Sequence, residues 1–242
     1  MSTPRRFFVE NLTPETEIAV LDGDEFVHAK SVLRVAVGDE ITLLDGAGNE
    51  YSAIVDKIEK SRLSAHITGV NKGSREPESN VYLLCGALKG DKTELIVQKA
   101  CELGVRKIGV FNSEYCSAYM NENKVERLKK VGREAAKQCL RSCAPEIEYF
   151  DDFESALASA KEYKNKLFAC EFEDKNYANI LELTGSAALV VGSEGGFSQR
   201  EYELAVKKYG FSGITLGKRI LRAETAAISL LAVVQFVLGE LR

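Results

Sequence analysis

AALVVGSEGGFS, residues 187–198, and ITLGKRILRAETAAISLL, residues 214–231, repeat one grammar. Each is a short apolar run that stops at a glycine, then a tight polar loop, then a segment with helical periodicity. Strand–loop–helix units of this kind bring backbone N–H groups and side chains to a ligand at the ends of parallel strands. A ligand site at the two loops is the first expectation.

In the first loop, Gly192-Ser193-Glu194-Gly195-Gly196, three glycines in five residues permit a sharp turn and a close approach to the main chain. Ser198 and Glu201 have capping-box spacing for the helix that follows. Neither G-x-x-x-x-G-K-[ST] nor G-x-G-x-x-G fits, which disfavours the phosphate-loop and dinucleotide cradles. On these residues alone, a plain strand-to-helix turn explains the glycines equally well. The second loop sets Lys218, Arg219, Arg222 and Glu224 within seven positions, directly before a nearly uniform apolar helix. Such a cluster usually has a partner, with a solvated, salt-bridged turn as the plain alternative.

Together these stretches resemble the SPOUT class of S-adenosylmethionine-dependent RNA methyltransferases, specifically the 16S rRNA (uracil-N3) methyltransferase family. The resemblance spans nearly the whole chain: KGDKTELIVQKACELGV (Lys89–Val105), the segment with Gln138, Arg141 and Pro145, GSEGG with Glu201, and LGKRILRAETA. Ser193 departs from the more usual G-P-E-G-G, and Lys137 stands where a glutamate is common. The resemblance implies an α/β methyltransferase domain whose C-terminal segment threads a trefoil knot, a rare exception to unknotted topology. It also implies a small N-terminal PUA-like β-barrel.

At 242 residues and 45% hydrophobic content the chain can form one large domain, or a medium one plus a small one. A net charge of −4 argues against indiscriminate nucleic-acid binding and requires any basic surface to be local. Six cysteines without C-x-x-C, and histidines only at His28 and His66, give no zinc-ligand spacing; reduced thiols and no metal are expected. No basic-then-apolar leader opens the sequence, and the longest apolar run, Ala226–Leu238, falls short of the roughly 20 residues of a membrane span. A soluble, cytoplasmic protein with no membrane partner is expected.

Residues 1–72 read as the β-rich unit, with ITLLDGAGNEYSAIVDKI alternating about an Asp45–Asn49 turn and Leu63–Val70 completing a meander. Helical spacing over residues 24–34 exposes His28, Lys30 and Arg34, while Arg5 and Arg6 precede Phe7 and Phe8. A basic rim suits RNA backbone contact; scattered surface charge is the plain alternative. The polar stretch Asn71–Asn80 holds the boundary, and residues 73–242 form the second domain. There Val81–Leu88, Arg106–Phe111, Leu167–Phe172, Ala187–Gly192 and Ile214–Leu216 read as strands of a mainly parallel sheet, with Asp91 and Glu94 capping the first helix. A helix over Asn123–Arg141 places Lys129, Arg133, Lys137 and Arg141 every fourth residue, a basic stripe for phosphates or a solubilising face. The last helix is apolar on almost every side and must be buried in the domain or against another subunit.

The resemblance implies a homodimer in which Arg141 reaches the partner's site. It places the S-adenosylmethionine pocket at Gly192, Glu194, Gly195, Gly196, Leu216, Gly217, Ile220, Leu221 and Thr225. Arg222, Arg219, Glu224 and Arg141 are the catalytic candidates, and Arg5, Arg6, His28, Arg34, Lys89, Arg133 and Lys137 the contacts to 16S rRNA of the small ribosomal subunit. Uridine N3 is protonated at neutral pH, so the base must be exposed and its charge stabilised by cations. A related methyltransferase acting on a ribose 2′-hydroxyl or on tRNA, and a non-catalytic RNA-binding protein, remain open on sequence.

Overall fold

The computed structural model describes residues 5–170 and 179–241. The chain forms two compact units, Met1–Glu76 with Arg133–Ala144, and Pro77–Gly132 with Pro145–Arg242.

The first unit is a mixed five-stranded sheet in the order β1-β3-β4-β5-β2: β1 (Arg6–Phe8), β2 (Ile18–Leu21), β3 (Glu40–Leu44), β4 (Asn49–Ile58) and β5 (Leu63–Lys72). β1 runs parallel to β3, and the other pairs are antiparallel. Alternation decides the faces: Leu43, Tyr51, Ala53, Val55, Leu63 and Ala65 point into a core that Phe7 and Phe26 complete. At the β3–β4 turn, the Asp45 carboxylate accepts the Ala47 and Asn49 N–H groups at 2.8 and 3.0 Å, so the expected turn has its own local fastening. Residues 24–34 form a short helix, α1 (Gly23–Val27), and a π-helical turn (His28–Val32).

The second unit holds a six-stranded, all-parallel sheet in the order β11-β9-β10-β6-β7-β8. Its strands are β6 (Val81–Gly86), β7 (Lys107–Phe111), β8 (Glu146–Phe150), β9 (Asn165–Ala169), β10 (Ala187–Val191) and β11 (Ser212–Ile214). Its helices are α2 (Lys92–Glu102), α3 (Glu122–Gln138, grouped with the first unit from Arg133 onward), α4 (Phe153–Ser159), α5 (Gln199–Glu203) and α6 (Ala223–Leu238). Every residue of β6 and β10 is buried, as expected of central strands covered on both faces. Val81, Leu83, Leu189 and Val191 pack with α2 and α6; Tyr82, Leu84, Ala188 and Val190 pack with Phe153, Leu157 and Phe168. The result is two helical layers around one sheet.

Three details differ from the sequence reading. Strand β11 ends at Ile214, so Thr215 and Leu216 belong to the loop; of the expected Leu167–Phe172 strand, β9 ends at Ala169, and Glu171 and Phe172 lie outside the described residues. Asp91 occupies the N-cap of α2 without a side-chain bond; Thr93 Oγ1 instead accepts the Leu88 N–H at 3.0 Å, and Glu94 pairs with Arg127. α6 is not buried all round: Ala227, Leu230, Leu231 and Val234 are buried, while Val233 and Phe236 are exposed.

Candidate active site

In a parallel sheet, ligands collect beyond the C-terminal strand ends where the strand order reverses. A cavity of about 680 Å³ opens there, walled by the segments following β9, β10 and β11 and by the starts of α2 and α6. Its size suits a small-molecule cofactor, in the range of about 300–1,000 Å³. Both loops singled out in the sequence line it: Gly192, Glu194, Gly195 and Gly196 on one side, Leu216, Gly217, Ile220 and Leu221 on the other. Arg219 and Arg222 line it too; Glu224 and Thr225 do not.

The glycines do two different jobs. Gly195 lies so close to the main chain of Tyr115 that a Cβ would come within 2.5 Å of the Tyr115 carbonyl oxygen. Gly196 and Gly217 have φ of +70° and +104°, and a Cβ on either would meet no protein atom within 4 Å, so bare backbone is presented with room beside it. After the first loop, Ser198 Oγ accepts the Glu201 N–H and the Glu201 carboxylate accepts the Ser198 N–H, the reciprocal cap read from the sequence.

Charge is unevenly shared around the cavity. Glu194 Oε1 accepts from Lys92 Nζ at 3.0 Å and from the Lys89 N–H at 3.3 Å. Partial burial pushes the Glu194 carboxyl up, but these bonds outweigh it and hold the group below the ordinary glutamate value. Lys92 was missed in the sequence; its position one residue after the N-cap was the available signal, since a side chain there reaches back over the strand ends. Lys218, Arg219 and Arg222 are exposed and form no ion pair among the described residues. Arg222 is also the N-cap of α6 and makes no capping bond, so the start of this 16-residue helix, where Ala223 and Ala226 line the cavity, has no side-chain cap. Glu224 Oε2 is buried and has no hydrogen-bond partner among the described residues.

The remaining candidates are distributed differently from the sequence reading. The stripe Lys129, Arg133, Lys137 and Arg141 is not an open basic face. Lys137 and Arg141 are each 4% exposed; Lys137 is held by Glu25 and Glu134, and Arg141 by Glu76. Leu140 at φ +66° ends the helical register before Arg141. Arg6 is likewise buried and bound to Glu50, and His28 Nδ1 lies 3.2 Å from Lys137 Nζ. Burying a cation is tolerated only beside a carboxylate, and each of these three has one. Arg5 pairs with Asp39, whereas Arg34, Lys89 and Arg133 are exposed. No group of three or more metal-ligating side chains occurs among the described residues, and no helix among them is long and apolar enough to cross a membrane.

The comparison with known proteins agrees with this geometry. The RNA methyltransferase domain family matches residues 75–235, and the RNA methyltransferase PUA domain family matches residues 21–68. Ribosomal RNA small subunit methyltransferase E of Rickettsia conorii is 31% identical over 240 residues, covering 96% of this chain and 95% of that protein. The enzyme of the same name from Mesomycoplasma hyopneumoniae is 39% identical over 163 residues, covering 66% of this chain and 71% of that protein. The crystal structure of ribosomal RNA small subunit methyltransferase E from Neisseria gonorrhoeae bound to S-adenosyl methionine superposes with a TM-score of 0.90 at 29% identity, covering 99% of this chain and 100% of that one. With full-length relatives, a domain match over most of the sequence and the cavity where both loops meet, the chain belongs to the ribosomal RNA small subunit methyltransferase E family.

Proposed function

We propose that the cavity between the two loops holds S-adenosylmethionine and that the chain methylates N3 of a uridine in 16S rRNA of the small ribosomal subunit. The observation that carries this reading is the meeting of bare glycine backbone and two arginines, Arg219 and Arg222, without an ion-pair partner among the described residues, in the lining of one cavity. S-adenosylmethionine, when bound, supplies an electrophilic methyl group on a sulfonium. The residues present suit it: apolar Val191, Ile214, Leu216 and Leu221 for a flat base, open main chain at Gly196 and Gly217 for close hydrogen bonding, and small Ala223 and Ala226 at the start of α6. We assign the catalytic electrostatics to Arg222 and Arg219, whose guanidinium groups would stabilise negative charge on the uracil carbonyl oxygens as the N3 proton passes to solvent water. Glu224 lies off the cavity lining, and its unpartnered Oε2 is the acceptor available to orient one of these arginines once substrate is bound.

The same reading assigns residues 1–72 to a PUA-like barrel that grips RNA and residues 73–242 to catalysis. Exposed Arg34, Lys89 and Arg133 are its proposed phosphate contacts. A trefoil knot is proposed for the C-terminal segment, on the match to the RNA methyltransferase domain family. A homodimer built on the exposed apolar side of α6, and a cytoplasmic location consistent with six cysteines outside any disulfide, complete the proposal. The test is incubation with methyl-labelled S-adenosylmethionine and small subunits lacking uracil-N3 methylation, followed by digestion of the rRNA. Label in 3-methyluridine is expected; label in another nucleoside, or none, refutes the assignment.

A further inference from the structure

The glycine loop, whose Ser193 lines the cavity, is clamped from outside it by Ser113, Glu114, Tyr115 and Glu201, which do not. Ser193 and Ser113 are both buried, and their hydroxyl oxygens are 3.3 Å apart. Ser113 follows β7, so this contact ties the loop after β10 to the loop after β7. The next residue repeats the tie: Glu201 Oε1 accepts the Glu114 N–H at 2.8 Å while Oε2 accepts the Ser198 N–H at 2.9 Å. Glu201 is only 7% exposed, so one carboxylate spends both oxygens on backbone donors of two separate loops. Tyr115 completes the set, its main chain filling the space where Gly195 has no side chain. Three consecutive residues, Ser113 to Tyr115, thus engage Ser193, Glu201 and Gly195 in turn.

We propose that Ser113, Ser193 and Glu201 are positioning residues for the methyl donor, holding the glycine loop in its cofactor-binding shape through contacts to the Ser113–Tyr115 segment. The proposal rests on the assignment of S-adenosylmethionine to the cavity. The loop itself is rich in glycine and loses much freedom on ordering; bonds that restrain it before binding lower the entropy that binding must overcome. A carboxylate is required at Glu201 because two N–H groups aim at it: an amide offers one oxygen and turns its NH₂ against the second donor. The serine pair is less costly to lose, since each hydroxyl has the other as its partner.

The test is calorimetric titration of S-adenosylmethionine into wild type, Ser113→Ala, Ser193→Ala, their double variant and Glu201→Gln, alongside melting temperatures and amide exchange of the cofactor-free proteins. Each serine variant is expected to weaken binding about fivefold, the double variant no more than either single one, as for one shared hydrogen bond. Glu201→Gln is expected to weaken it about tenfold or more, with faster exchange at Gly195 and Gly196. In turnover the KM for the donor rises while kcat stays within about twofold. Unchanged affinity in folded variants, even with lowered melting temperature, makes the clamp merely structural and overturns the proposal. If Glu201→Gln does not fold, the serine cycle decides alone. Failure of the wild type itself to bind overturns both this proposal and the assignment of the cofactor.

Discussion

Lys137 Nζ lies 3.2 Å from both carboxylate oxygens of Glu25 and 2.6 Å from Glu134 Oε1, with the lysine side chain almost wholly buried. This cation, 112 residues from Glu25 in sequence, fastens the segment Arg133–Ala144 to α1 of the first unit. Lys137→Met is therefore expected to destabilise the protein by about 2 kcal/mol, below the 3–5 kcal/mol of a fully buried pair because Glu134 is open to solvent. Denaturant unfolding followed with and without the substitution checks it.

Glu25 gives that cluster a pH signature. Burial pushes its carboxyl above the ordinary glutamate value, with Lys137 opposing and Glu134 adding to the rise. A raised folded value means that the folded state binds the proton more tightly. The group's stabilising contribution is thus complete below the ordinary glutamate value and is lost as pH rises through the folded value. The stability of wild type relative to Glu25→Gln is expected to decline from about pH 4 towards neutrality; a difference that grows with pH contradicts the burial argument.

Arg222→Ala is expected to lower kcat by about a hundredfold or more while leaving the melting temperature and donor affinity near wild type, because the guanidinium is exposed and forms no ion pair among the described residues. Arg219→Ala is expected to act in the same direction. Full turnover by folded Arg222→Ala would remove this arginine from the mechanism.

How much of this was readable in the sequence depends on the range of the interactions. Strands β3 to β7 and β10, the Asp45 turn and the Ser198–Glu201 cap are set by alternation and by neighbours three or four residues away, and they appear close to where the local pattern placed them. Strands β9 and β11 end earlier than that pattern, and the short or half-buried strands β1, β2 and β8 carry too little of it to be read. The two cavity loops were legible for the same reason, as each is one contiguous strand–loop–helix unit. Lys137 and Arg141 were not, because helical spacing gives a side chain's direction on its own helix but says nothing of the partners Glu25 and Glu76 that bury it. Lys92 escaped notice similarly: its pairing with Glu194 spans two strand ends and has no local signature.

Gly217 and Gly46 both have positive φ, +104° and +72°, and a Cβ on either would meet no atom within 4 Å, but only Gly217 lines the cavity. Substitution by alanine is expected to cost each about 1 kcal/mol of stability through backbone strain. Donor affinity is expected to fall only for Gly217→Ala, since its methyl group enters the cavity. Equal affinity in the two variants, measured by calorimetry, would place the donor elsewhere.

Val233 and Phe236 stand 42% and 56% exposed on the open side of α6. Apolar side chains clustered on one helix face are a natural seat for a second copy of the chain. Phe236→Glu is expected to shift the protein from dimer to monomer in sedimentation equilibrium without unfolding it. A wild type that sediments as a monomer at high micromolar concentration excludes the dimer outright.

Cys170 lines the cavity next to Ala169, just past the end of β9, whereas Cys85 is fully buried in β6 and its thiol is pushed up to about 12 by burial. Only a thiolate reacts with an alkylating reagent, so Cys85 is expected to stay unmodified in the native protein. Cys170 is half-buried at the cavity wall and is expected to react with iodoacetamide, more slowly when S-adenosylmethionine is present. Peptide mass mapping at timed intervals reads both rates. Protection of about fivefold or more at Cys170, with no change at Cys139 in the first unit, locates the donor in this cavity; equal rates with and without donor place it outside.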